Sequence, residues 1–143
     1  MTSGTLSVRI SVVRREIAIK WYRQACHDLL LAEKNISIEG YDVAAFLAHQ
    51  AVEKLLKALI IAEKNTLPRI HYLDELAQQL GLQGEIADDI ADLTADYTVA
   101  RYPDVSDRLP FEEYDRATAS EKVERAGRIF RALETRRRGL GIE

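Results

Sequence analysis

From Tyr41 to Lys64 the apolar residues fall in adjacent pairs at every fourth position: Val43/Ala44, Leu47/Ala48, Ala51/Val52, Leu55/Leu56 and Leu59/Ile60. At about 100° per residue, Ala44, Leu47, Ala48, Ala51, Val52, Leu55, Ala58, Leu59 and Ala62 cover one broad face of a helix. The stretch contains neither Gly nor Pro and is filled by good helix formers. A face this wide predicts a central helix with several neighbours, and its many alanines predict that those neighbours come close. The opposite arc holds His49, Gln50, Glu53 and Lys57, with Lys54 at its edge. Phe46 and Ile60 intrude on that arc, where a lone chain would leave them wet.

The flanking segments carry the same period. Ile10, Val13, Ile17, Trp21, Ala25, Leu29 and Ala32 follow three- and four-residue steps. The opening is ambiguous, because Val8, Ile10 and Val12 also alternate like a strand. Residues 1–6 read as a loose tail, and Trp21–Asn35 as secure helix with Asp28 on the apolar side. Asn65-Thr66-Leu67-Pro68 breaks the pattern. A short helix follows His71, with Leu73, Leu76 and Leu80 inward and Gly81 as its stop. Ile86, Ile90, Leu93, Tyr97 and Ala100 predict a helix over about 83–100 with an acidic outer face. Residues 102–113 form the longest loop, entered through Pro103, which pushes Tyr102 out of helical geometry. Asp115 reads as the N-cap of a last helix carrying Ala119, Val123, Ala126, Phe130 and Leu133. The expectation is an all-α, up-and-down bundle of four long helices plus one short one. Its parts are an N-terminal extension over 1–19, the bundle over 20–137 and a tail over 138–143.

At 143 residues the chain suffices for one domain with its own core. The single Cys26 precludes an internal disulfide and suits a reducing cytosol. No apolar run is long enough to span a membrane, and the charges within the N-terminal segment argue against a signal peptide.

Net charge is −3 but segregated. Residues 1–23 sum to +4, residues 85–115 to −8 and residues 116–143 to +4. The basic ends either meet phosphate or neutralise the acidic segment within the fold.

The usual chemical motifs are missing: no Gly-rich phosphate loop, paired cysteines, HExxH or Gly-x-Ser-x-Gly occurs. Cys26 and His27 are adjacent, so on a helix they diverge and cannot chelate together. No metal or cofactor is expected. Three features remain. His49, Glu53 and Lys57 stand one above another on the central helix, either as an exposed ladder or as a polar stripe facing a groove. Arg101-Tyr102-Pro103-Asp104 places a cation, an aromatic and a carboxylate at a helix end. Arg101 either pairs with Asp104 or offers its fork to a phosphate. His71 precedes the short helix, either satisfying the backbone or touching a ligand.

Trp21…Ala25…Asp28-Leu29, the run Phe46–Leu59, then His71…Leu73…Leu76 and Arg101-Tyr102-Pro103-Asp104 together resemble the HEPN (higher eukaryotes and prokaryotes nucleotide-binding) family over about residues 20–134. That resemblance implies a five-helix bundle, usually a homodimer, in prokaryotic cytoplasm. Members often act with a small nucleotidyltransferase encoded beside them, in toxin–antitoxin fashion, and some are ribonucleases. In the catalytic members four to six residues intervene between the Arg and the following His. Here Ser106, Asp107 and Arg108 follow Arg101 at the required positions, and none of His27, His49 or His71 has an Arg correctly placed before it. Without an imidazole partnering the Arg, the usual proton transfer lacks its agent. The expected role is therefore binding of a nucleotide or nucleotide-bearing partner, with no catalytic residue assigned. Lys57 and Arg101 would meet phosphate, Glu53 and Asp104 would position them, and His49 and His71 would flank the groove. Phe46 and Ile60 would form a dimer contact. The alternatives are a ribonuclease toxin, using Arg101 with His49 or a carboxylate on RNA, and a non-enzymatic dimeric scaffold.

Overall fold

The computed structural model describes residues 2–143, with side chains from Val12 onward. The elements are α1 (Thr2–Ser37), α2 (Tyr41–Lys64), α3 (Leu73–Gln79), α4 (Glu85–Thr94), α5 (Asp96–Val99), α6 (Pro110–Glu113), α7 (Arg116–Ala132) and α8 (Glu134–Gly139). No strand occurs among the described residues, so the all-α reading holds. The backbone is helical from Thr2, which replaces the loose tail and the strand-like alternation of the opening. Met1 lies outside the described residues.

α1 and α2 form an antiparallel hairpin, and α2 also touches α3, α4, α5, α6 and α7. Ala18, Ala25 and Ala32 on α1 are fully buried, as are Ala44, Ala48 and Ala51 on α2. Small side chains on both partners let the two backbones approach. Leu55, Leu56, Leu59 and Ile60 then form the thick end of the core with Leu73, Leu76, Ile90, Leu93 and Ile129. Ile142 joins the same cluster, brought in by a turn in which Arg137 donates to its carbonyl at 2.6 Å.

Local signals set the boundaries. Asn65 takes a left-handed conformation at φ 54° and closes α2 on the carbonyl of Ile61. Gly81, at φ 68°, stops the chain just after α3. Asp115 caps α7 by accepting from the Thr118 backbone N–H at 2.7 Å. The helix expected over 83–100 is interrupted at Ala95 and tightens there to i→i+3 bonds, Thr98 to Ala95 and Arg101 to Thr98.

The segregated charge is largely consumed internally. Asp89 accepts from both Arg125 and Arg128, and Lys122 bridges Asp92 and Asp96 at 2.9 and 3.0 Å. Burial of its ammonium opposes the charged form of Lys122, but the two carboxylates outweigh it and raise its pKa. The basic α7 thus neutralises the acidic α4. Arg14, Arg15, Lys20 and Arg23 on α1 make no ion pair with any described carboxylate.

Candidate functional site

The polar arc of α2 faces inward. His49 is fully buried, and Glu53 and Lys57 are nearly so. Burial makes this i, i+4, i+8 series neither an exposed ladder nor an open groove. Glu53 sits at the centre: Lys57 Nζ lies 3.2 Å from Oε2, and His71 Nδ1 lies 3.1 Å from the same oxygen. Two buried charges of opposite sign offset each other's desolvation only when their hydrogen bonds are met. Here an imidazole from the 65–72 connection supplies the second partner. Trp21 of α1 closes the other side, with the Lys57 ammonium 5.8 Å from its ring centre.

Tyr97 ties this buried cluster to the surface. Its ring stacks on His71 at 4.9 Å and 7°, and lies tilted against His49 at 5.4 Å. Arg101, one helical turn later, donates to the Tyr97 hydroxyl at 3.0 Å and stands 5.4 Å from that ring. Its guanidinium also lies within 6 Å of the Phe46 and Tyr102 rings. Such placements satisfy a cation without neutralising it. Arg101 is exposed and has no carboxylate partner among the described residues. The local Arg101–Asp104 pair does not form, and Asp104 is exposed to solvent, outside the cluster's bonds.

The burial of His49 has an electrostatic consequence. Desolvation pushes its pKa down to about 4, against the pull of Glu53, so the ring is neutral at ordinary pH. Its Nδ1 lies 3.3 Å from the Gln50 amide, while Nε2 is buried without a partner. A sealed imidazole cannot reach RNA, which removes the basis for pairing His49 with Arg101 in a ribonuclease.

The premise for Phe46 and Ile60 is corrected too. Ile60 is fully buried in the main core, and Phe46 packs half-buried beside Ala45 and Tyr114 under Arg101. The single chain thus already covers Ile60 fully and Phe46 in part.

Tyr97 and Trp21 were legible as core aromatics but not as links between charged groups. The available signal was the four-residue step from Tyr97 to Arg101. Tyr114 is a further omission: its hydroxyl donates to the buried Asp96 at 2.5 Å. Burial raises the Asp96 carboxyl, with Tyr114 and Lys122 pulling the other way.

The HEPN domain family model matches residues 18–136. The chain belongs to the HEPN family. Among solved structures, this HEPN chain is similar to TT1696 from Thermus thermophilus, with 28% identity and a TM-score of 0.73 over 82% of this chain and 96% of that one. It is also similar to ST0689, an archaeal HEPN homologue, with 30% identity and a TM-score of 0.69 over 83% and 96%. No curated protein matches. Among the described residues, no helix is long and apolar enough to cross a membrane.

Proposed function

We propose that this HEPN chain is a binding module for a nucleotide or a nucleotide-bearing partner, foremost a small nucleotidyltransferase in a toxin–antitoxin-type pair, and that it works as a homodimer. The observation that carries the reading is Arg101: an exposed, uncompensated guanidinium held on Tyr97 beside the stacked His71. Its planar fork suits a phosphate, and the neighbouring rings suit a base. Glu53, Lys57 and His49 act beneath it as the buried support that fixes His71 and Tyr97. In this arrangement Lys57 is spent on Glu53, so Arg101 makes the first phosphate contact. Asp104 has no role beyond the loop.

A thermal-shift titration with ATP tests the reading. Ligand at about 100 times its dissociation constant adds about 2.7 kcal/mol. Arg101→Ala should remove that shift while leaving the helical circular dichroism intact. A shift that survives Arg101→Ala places the site elsewhere, and none in the wild type sinks nucleotide binding.

A ribonuclease reading draws on one feature, that His71 and Arg101 both lie against the Tyr97 ring. This brings an imidazole near the Arg in space although no His follows it in sequence. Cleavage of purified RNA that is lost in both Arg101→Ala and His71→Ala would favour it over binding alone.

A further inference from the structure

α1 carries apolar side chains, Val12, Val13 and Ile17, that the rest of the described bundle leaves exposed. The stripe of Ala18, Ala25 and Ala32 faces α2. Val13 and Ile17 lie on a different side and are 54% and 43% exposed. Their spacing continues through the sequence as Leu6, Ile10, Val13, Ile17 and Lys20, steps of four, three, four and three. That is the seam of a two-helix packing, not the broader face of a helix lying on a globular core. α1 spans 36 residues against 24 for α2. The end of the bundle lies level with Arg14 and Arg15, which line a cavity of about 220 Å³ with Ala62, Gly139 and Leu140. The aliphatic positions of the seam precede the HEPN match, which begins at residue 18, while Lys20 and Arg23 lie within it.

The residues flanking the seam are Arg9, Glu16 and Arg23 on one edge and Arg14 and Trp21 on the other, with Lys20 in the seam itself. Lys20, Arg23 and Gln24 line a shallow recess of about 320 Å³, and Lys20, Trp21, Gln24 and Lys54 one of about 210 Å³. Neither Lys20 nor Arg23 is paired with a described carboxylate. We propose that this face of α1 docks an amphipathic helix of a partner protein, one with an aliphatic seam and acidic flanks. Self-pairing of two such faces would set cation against cation. The acidic helix α4 of another copy is a poor counterpart, because its Asp89 and Asp92 are engaged by Arg125, Arg128 and Lys122. A single nucleic-acid strand would need aromatic faces, whereas Val12, Val13 and Ile17 are aliphatic and Trp21 already carries Lys57. The surface shares no residue with the Arg101 platform, so nucleotide tests there neither support nor damage it.

The probe is a labelled 21-residue helical peptide with Leu and Ile at the seam positions and Glu at the flanks, against the same peptide with Lys flanks. Anisotropy with the full chain should show at least tenfold tighter binding of the Glu peptide. Lys20→Glu with Arg23→Glu should reverse that preference. Val13→Asp with Ile17→Asp should abolish binding with unchanged circular dichroism, since both side chains are on the surface. Four results overturn the proposal: equal binding of the two peptides, binding of neither, stronger uptake of the chain by phosphatidylserine vesicles, or a sedimenting dimer that Val13→Asp with Ile17→Asp splits.

Discussion

His71 and Glu53 are eighteen residues apart in sequence, yet the His71 Nδ1 lies 3.1 Å from a Glu53 oxygen that also accepts from Lys57. One carboxylate therefore serves a buried ammonium from its own helix and an imidazole from the connection to α3. The pairing anchors the 65–72 segment over the middle of α2 and lays His71 flat on Tyr97.

Removing Glu53 should be among the costliest single changes in the chain. Glu53→Ala leaves Lys57 charged, buried and unpaired, a loss of about 3–5 kcal/mol. The double variant Glu53→Leu with Lys57→Met should recover most of it, because no orphaned charge remains. Urea unfolding of the three proteins checks this. Equal destabilisation of the single and double variants would mean that the packing around the pair matters more than its charge.

His49 should make the fold acid-sensitive over a defined window. The folded ring titrates near 4, below the ordinary value of 6.5, so between those values the unfolded state binds more protons. Stability from this group is complete above about pH 6.5 and is lost as pH falls towards 4, by up to about 3 kcal/mol. His49→Leu should flatten the curve in that interval relative to wild type. Parallel curves for the two proteins would show that the ring is hydrated after all.

Tyr114→Phe should cost about 1–3 kcal/mol, since it strips the buried Asp96 of the hydroxyl that donates to it. The Asp96 carboxyl, already raised by burial, should titrate higher still. Carboxyl NMR of Asp96 reads the shift, and thermal melts read the loss. A melt unchanged by the substitution would point to Lys122 as sufficient on its own.

Ala25→Leu tests the close approach of α1 and α2. The site is fully buried between the two helices, and overpacking of this kind costs about 1–3 kcal/mol. The exposed neighbour His27→Leu should change stability by less than about 0.5 kcal/mol. Similar melting points for the two variants would mean that the helices part easily.

The local grammar of the chain was carried by the residues themselves. The unbroken α2, the Asp115 cap and the stops at Asn65 and Gly81 depend on neighbours within about one turn, where propensity and capping act. The pairing of acidic α4 with basic α7 was one of two outcomes the charge pattern allowed, and proximity chose it. Periodicity, however, reports only the angle at which a side chain leaves its helix. It placed His49, Glu53 and Lys57 on an arc opposite the alanines, and no spacing rule says whether another element will cover that arc. Tertiary packing decided it: Tyr97, His71 and Trp21, from three separate segments, close over the arc. That turned a ladder into a buried pair, took Ile60 into the core, and left Arg101 rather than Lys57 facing water.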